Sequence, residues 1–411
     1  MKKITQTTIR TQNIKTIFDI ISNRGMIARS EIAKLSNLSL MTVSNIIDHL
    51  DRFDLILHES KEETSMVGRK AELLSIKKDT KKLIVLDLTT LNFSFVALNL
   101  DLTLHHNFND WKYDVKYSYL NNLRSFLSVV NEYIDTEYVD QEIIGIGVSV
   151  PGPYDATSDI VITKRIQALM EIPLKATIKS VVLNNKLEDR DQVADCDIFI
   201  DEDVKFASLA NIVMVPEYKS KTVFYMYIGE GVGGAISVNG KVLRGASSFA
   251  GDIGQLLINE NTNFEERISM KAFSRKMLRN AIAIENLDTI ESVDTIDNKA
   301  PIDNDDSMDL LRAFQANQPD KFNELFEKQC NCIALALYNV IWFIDPHAII
   351  IECEYAELKS QDFIEHLNIK LSRMLPERHV IPELFLSNPS IKNANIGAGI
   401  TLRNRWLESI S

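Results

Sequence analysis

The stretch from Lys221 to Gly245, KTVFYMYIGEGVGGAISVNGKVLRG, constrains the fold more than any other part of the chain. It reads as an apolar strand, a glycine turn, a second strand, and an Asn239-Gly240 turn into a third. Asn-Gly suits the positive backbone angles that a two-residue hairpin requires. A loop with Gly229, Gly231, Gly233 and Gly234 also lets backbone N–H groups come close to a phosphate, since no Cβ intervenes. Two expectations follow: a nucleotide cradle, or a turn that keeps the shape without the ligand.

The rest of the body alternates in the same manner. Leu83 to Phe108 reads as two or three strands around turns, and EIIGIGVSVPGPYD (142–155) as an apolar strand ending at a Pro-Gly turn. EKQCNCIALALYNVIWFI reads as a long helix leading through Asp345-Pro346 into the buried strand AIIIE, and NIGAGITLRNRWLES as a closing helix. Strands alternating with helices make an α/β body, and its length suggests two lobes. The apolar run Ile333–Ile351 contains Asn339, Asp345, Pro346 and His347, which makes it a helix and strand of a core and not a membrane span. No apolar h-region follows the two lysines of MKKITQ, so no signal peptide is expected. Cys196, Cys330, Cys332 and Cys353 then read as reduced thiols of a cytoplasmic protein. Cys330 and Cys332 fall on different faces of the long helix and are expected to be packing residues.

Charge separates the first 78 residues from the remainder. They hold 13 Lys/Arg against 9 Asp/Glu, whereas the rest of the chain has 32 against 48. A basic head on an acidic body suits a nucleic-acid-binding module attached to something that avoids nucleic acid. In the head, Ile14, Ile17, Phe18 and Ile21 share one helical face, and Gly25 ends that helix. RSEIAKLSN predicts a second short helix with Ile32, Ala33 and Leu35 inward. After a tight turn at 36–38, Ser39 caps a third helix that buries Val43, Ile46, Ile47 and Leu50. That is a helix-turn-helix, with Thr42, Ser44 and Asn45 turned outward as donors and acceptors for base edges and phosphates. LILHESKEETSMVGRKAELLSIK alternates around a polar tip like a β-hairpin wing, with Arg69 and Lys70 placed to meet DNA. The expected contacts are therefore Ser39, Thr42, Ser44, Asn45, Arg69 and Lys70; a three-helix module that binds protein is the competing reading.

GIGVSVPGPYD, GEGVGGAISVNGKVLRGASSFAGDIGQ, IDPHAIII and NIGAGITL, together with the winged helix, resemble the ROK family (repressor, open reading frame, kinase), and specifically its repressor branch. The hairpin followed by FAGDIG is the most specific of these elements. The resemblance spans nearly the whole chain. It implies a winged helix-turn-helix ahead of an α/β actin-like (ribonuclease H-like) two-lobed sugar-kinase fold, dimeric or tetrameric, with a sugar held between the lobes. The matching boundaries are 1–78 for the DNA-binding head and 79–205 for the first lobe, completed by 394–411. Residues 206–393 form the second lobe, which carries effector binding and oligomerisation.

Several positions depart from the kinase pattern that the resemblance implies. The first hairpin should carry an Asp followed by a Gly pair; here it reads Asp87-Leu88-Thr89-Thr90. A second Gly-Gly, expected after the strand of IDPHAII, is Glu352-Cys353. Glu230 stands where a small hydroxylated residue would face phosphate. The Asn-Asp pair that supplies the general base matches Glu202-Asp203, which leaves Asp203 a vestigial base position, and Lys205 replaces a second Asn. The plain alternative is an acidic helix start facing solvent. The zinc pattern of a His and three Cys is missing: its His is Gln255, no Cys lies between Cys196 and Cys330, and no His between His106 and His347. The Glu that precedes Ile-Gly in the pattern is Asp252.

The sequence thus predicts a DNA-binding regulator of carbohydrate genes with a kinase-like body that is not an enzyme, no metal and no cofactor. Glu202, Asp203, Asp252 and Gln255 are the expected ligand residues, an operator duplex and a small sugar the expected partners. A different effector, no effector, and an ATP-dependent sugar kinase stay as alternatives.

Overall fold

Two five-stranded sheets of one strand order organise the computed structural model, whose described residues are 6–60, 72–139, 141–183, 197–285, 304–387 and 392–411. The chain divides into two compact units, residues 1–206 with 394–411, and residues 207–393. The expected boundary at residue 78 falls inside the first of them.

The first unit begins with α1 (Gln6–Arg24), the short β1 (Ile27–Ala28), α2 (Arg29–Ser36) and α3 (Leu40–Asp51). Ile14, Ile17, Phe18 and Ile21 from α1 meet Ile32 of α2 and Val43, Ile47 and Leu50 of α3 in a core with no solvent exposure. Gly25 takes φ +71° after α1, and Asn37 takes φ +55° between α2 and α3, the left-handed turn that sets the two helices at an angle. One expectation fails here. Leu35 is 44% exposed and Ala33 half-buried, because a two-turn helix offers the core only a narrow face, and Ile32 fills it. β2 (Ile56–Ser60) and β3 (Glu72–Ile76) pair antiparallel, and β1 adds to β3. This three-helix, three-strand arrangement is the winged helix-turn-helix. Residues 61–71, which include Arg69 and Lys70, lie outside the described residues.

The first large sheet follows: β4 (Lys81–Asp87), β5 (Ser94–Asn99) and β6 (Leu104–Phe108) form an antiparallel meander. After α4 (Tyr119–Glu137), β7 (Glu142–Val150) lies parallel to β4. The small pair β8 (Tyr154–Asp155) and β9 (Ile160–Val161), then α5 (Leu174–Ile178), precede β10 (Asp197–Glu202), which runs parallel to β7. Strands β4 and β7 are near-continuous runs of apolar residues buried on both faces, as central parallel strands are. Helix α6 (Asp203–Met214) leaves directly from β10.

The second unit repeats the order. β11 (Thr222–Ile228), β12 (Val232–Val238) and β13 (Lys241–Val242) form the meander. Asn239 and Gly240 join the last two strands at φ +51° and +73°, the hairpin turn that the dipeptide predicts. Then come the pair β14 (Leu257–Asn259) and β15 (Thr262–Asn263), and helices α7 (Glu265–Ile268), α8 (Met270–Glu285), α9 (Asn304–Asn317) and α10 (Pro319–Ile344). β16 (Ala348–Cys353) runs parallel to β11, α11 (Ser360–Met374) crosses over, and β17 (Glu383–Leu386) runs parallel to β16. α8 and α10 pack over β11 and β16 through Phe273, Phe322, Phe326, Ile333 and Leu337. Both sheets therefore read third–second–first–fourth–fifth, the ribonuclease H-like order of an actin-like fold.

The last helix, α12 (Asn393–Ser409), returns residues 394–409 to the first unit. It lies against β7 where the sequence reads GIG. A Cβ on Gly145 would stand 2.9 Å from Leu402 Cδ2, and one on Gly147 3.0 Å from Ala398 Cβ. Two glycines, two residues apart on one strand face, let the helix sit this close. No helix among the described residues is long and apolar enough to cross a membrane.

Candidate functional site

The outward end of α3 is built by its cap. Ser39 Oγ accepts the Thr42 N–H at 3.1 Å and pairs with Thr42 Oγ1 at 2.8 Å, which settles the first turn. With Val43, Ile46, Ile47 and Leu50 buried, Ser39 and Asn45 are exposed and Thr42 and Ser44 half-buried on the opposite side. Leu40 and Met41 join them, the latter 76% exposed. Sequence reading passed over this apolar pair: Leu40 continues the buried stripe one turn before Val43 yet is exposed, and Met41 lies off that stripe. Such side chains suit the thymine methyl in a major groove. Behind the face, His58 of β2 is held between Asp51 of α3, at 2.9 Å, and Glu72 of β3, at 2.8 Å, and these carboxylates raise its pKa against the effect of burial.

In the first large sheet, parallel register puts three polar side chains in a row. Asp87 of β4 is opposite Ser149 of β7, which is opposite Asp201 of β10. All three are buried and stand at the carboxyl ends of adjacent parallel strands, where α/β sheets bind ligands. Asp87 Oδ1 accepts the Thr89 N–H at 3.0 Å and its hydroxyl at 2.5 Å, so the threonine that replaces glycine closes a local turn. Ser149 Oγ makes no hydrogen bond among the described residues. Next in the chain, Glu202 Oε2 accepts Lys205 Nζ at 2.5 Å, and Asp203 Oδ1 accepts the Val204 N–H at 2.8 Å. Lys205 is buried and Glu202 and Asp203 partly so. This is an internal polar cluster and not a solvated helix start. Asp201 and Ser149 were missed from sequence because only the strand register aligns them with Asp87.

In the second unit the glycine turn is turned in on itself. Gly229 N–H donates to Gly231 O at 2.9 Å, Val232 N–H to Glu265 Oε2 at 3.2 Å, and Gly229 O accepts the Met270 N–H at 2.7 Å. Tyr227 donates its hydroxyl to Glu354 beside the turn, and a Cβ on Gly229 would lie 2.6 Å from Glu354 Oε1. Two residues along the same face, Tyr225 Oη and Asn393 Nδ2 each donate to Glu352 Oε2 at 2.7 Å. Burial pushes the Glu352 and Glu354 carboxyls up; the hydrogen bonds partly offset it, and Glu230 raises Glu354 further. Glu352 and Cys353 are the last residues of β16 itself and do not form a loop beyond it. Where a nucleotide-binding chain would present glycine amides, this chain presents carboxyl groups already bonded to tyrosines.

The FAGDIG segment is pressed on β12 through glycine. Gly251 has φ +95°, a Cβ on Gly234 would lie 2.6 Å from Gly251 O, and one on Gly254 would overlap Val232 O. That contact fixes Asp252 at the rim of a cavity of about 630 Å³, walled by Phe224, Phe249, Val340, Trp342 and Phe343, with Asn339 its other polar side chain. Gln255 is exposed and does not line it.

The ROK family model matches residues 116–400. A xylose repressor of Caldicellulosiruptor bescii is 25% identical over 248 residues, 60% of this chain and 57% of that protein. The chain thus spans less than two thirds of that relative's length. Among solved structures, a ROK family transcriptional regulator described as a homolog of the E. coli MLC protein superposes with a TM-score of 0.69 at 18% identity, over 98% of this chain and 97% of the other. A ROK family glucokinase from Streptomyces griseus, in complex with glucose and AMPPNP, superposes at 0.57 and 14% identity over 78% and 98%. At these identities the two structures show the fold. With the winged helix-turn-helix, the doubled sheet order and the family match over most of its length, the chain belongs to the ROK family.

Proposed function

We propose that the chain is a DNA-binding transcriptional repressor of carbohydrate-utilisation genes whose kinase-like body senses a sugar or sugar derivative and transfers no phosphate. The observation that carries this reading is α3, buried along Val43, Ile46, Ile47 and Leu50 and offering Ser39, Leu40, Met41, Thr42, Ser44 and Asn45 outward. Arg69 and Lys70 add positive charge between β2 and β3 and are proposed phosphate or minor-groove contacts. Against phosphoryl transfer stand the Asp87–Thr89 turn and the Tyr227–Glu354 and Tyr225–Glu352 pairs, which occupy the donors and space that a triphosphate needs. Asp203, Glu202, Asp252 and Gln255 are the proposed contacts for sugar hydroxyls, and Ser149 Oγ, in register with Asp201, is a further candidate donor. The xylose repressor similarity makes xylose the first sugar to try.

The protein is read as cytoplasmic and as a homodimer or homotetramer. Phe249, Leu256, Trp342 and Phe343 are all at least 45% exposed around one cavity, an apolar patch of the kind that marks an interaction surface. Two heads on a two-fold axis read a palindromic or pseudo-palindromic operator. The test is gel retardation of a duplex from upstream of its own gene, with and without xylose, beside a phosphorylation assay on a sugar panel. Retardation that weakens with salt and is lost in Asn45→Ala with Arg69→Ala supports the reading. Turnover of ATP and sugar that Asp203→Asn abolishes would replace it with the kinase.

A further inference from the structure

Among the described residues, several contacts tie α1 and α3 to the first lobe, and four of them are made by α12 or the turn after it. Arg403 of α12, 2% exposed, donates to Asp19 of α1 at 2.6 Å and lies 5.2 Å over the Phe18 ring. Lys15 of α1 pairs with Glu408 at 2.5 Å. His49 of α3 meets the Ile410 carbonyl at 2.8 Å, and a further contact, Ser22 to the Asp101 carbonyl, is a long 3.4 Å. The His49 bond has a defined chemistry. Arg10 Nη2 lies 3.2 Å from Nδ1, and a guanidinium can only donate. Nδ1 is therefore the acceptor, so the ring proton sits on Nε2 and is given to Ile410 O. A side chain of the recognition helix is thus held by a backbone carbonyl that follows it by 361 residues.

The other end of α12 is fixed just as closely. Gly397 faces the backbone of Phe206 in the first turn of α6, the turn that Asp203 opens, and a Cβ there would stand 2.8 Å from Phe206 Cα and closer to its carbonyl. Between the two ends, Ala398 and Leu402 pack on Gly147 and Gly145 of β7. A single helix, with the turn that follows it, therefore touches the segment that carries Asp203 and the helix that carries Asn45.

We infer that α12 is a strap that sets the orientation of α3 on the first lobe, with Arg403 and His49 as positioning residues for DNA recognition. Its purpose rests on the DNA-binding reading above; its geometry does not. Breaking the strap at either residue should loosen the head without loosening the sheet, because neither side chain enters the β4–β7–β10 core. The conservative Arg403→Lys keeps a cation near Asp19 and should restore part of the effect.

The test is amide hydrogen exchange on the full chain and on Arg403→Met and His49→Phe, with binding to a fluorescent mixed-sequence 30-base-pair duplex at low salt measured alongside. His49→Phe keeps the edge contact with Phe53 and removes both hydrogen bonds. The expected result is exchange at least tenfold faster in α1 and α3 with β4 and β7 unchanged, partial recovery in Arg403→Lys, and duplex affinity several-fold weaker. Unchanged α3 exchange in both variants overturns the strap. So does an equal rise in head and sheet, which marks general destabilisation. A strap confirmed by exchange, with no duplex bound even by the unaltered chain, upholds the inference and removes the DNA reading instead.

Discussion

Alanine at Gly397 is a substitution whose sign the tertiary structure reverses. In an isolated helix, Gly→Ala stabilises by about 1 kcal/mol, since alanine loses less backbone entropy. In α12 the added methyl would meet the Phe206 backbone, 2.8 Å from its Cα and nearer to its carbonyl group. A peptide group cannot rotate aside as a side chain can, so α12 must move by something on the order of 1 Å to reach van der Waals separation. That movement lifts Ala398 and Leu402 from Gly147 and Gly145, whose close fit the same helix position maintains. Overpacking with forced backbone shifts costs about 1–3 kcal/mol, and a rigid partner on one side with a seated helix on the other puts this case at or above the top of that range. After the helical gain, a net loss of about 2 kcal/mol is expected. For a unit of this size it lowers the melting temperature by about 4–8 °C. Differential scanning calorimetry of Gly397→Ala against Gly399→Ala checks it. A Cβ at Gly399 meets only Leu98 Cδ1 at 2.7 Å and Leu102 Cδ2 at 3.1 Å, side-chain ends that can swing away, so that variant should stay within about 1 kcal/mol of the parent. A Gly397→Ala melting at or above the unaltered chain, or no worse than Gly399→Ala, refutes the packing argument.

Three further outcomes follow from the geometry. Ser39→Ala removes the hydroxyl oxygen that accepts the Thr42 N–H and should cost about 1 kcal/mol, read as faster exchange in the first turn of α3. Glu352→Gln keeps an acceptor for Tyr225 and Asn393 and removes a buried charge. Since burial raises the folded-state pKa above the ordinary 4.5, the carboxyl's contribution is fully present below that value and is lost as pH rises through the folded one. The unaltered chain should therefore lose more melting temperature than Glu352→Gln between pH 5 and pH 8, on a thermal scan at each; parallel losses would contradict the assignment. Phe343, 90% exposed, should anchor self-association, so Phe343→Ser should lower the mass measured by light scattering towards that of one chain, and an unchanged oligomer would place the interface elsewhere.

What could be read in the residues alone was local. Ser39 as a cap, Gly25 and the Asn239-Gly240 turn are settled by backbone chemistry within a few residues, and each is found as expected. The buried faces of α1 and α3 follow from a 3.6-residue period, and the unbroken apolar runs of β4 and β7 from burial on both faces. Leu35 shows the limit: periodicity says which residues share a side, and only the neighbours decide how wide a side is covered.

The candidate sites needed contacts that sequence distance conceals. Asp87, Ser149 and Asp201 become one row through parallel register, Tyr227 reaches Glu354 across 127 positions, and Asp19 reaches Arg403 across 384. The glycine turn at 229–234 illustrates the division. Its composition alone determined that the backbone would be tight and close to something, because glycine is what permits that approach. Whether a phosphate or the chain itself fills the space was decided by one residue of α7 and one that follows β16, since hydrogen-bond donors point to whatever acceptor the fold delivers, and here it delivers Glu265 to the Val232 amide and Glu354 to the Tyr227 hydroxyl.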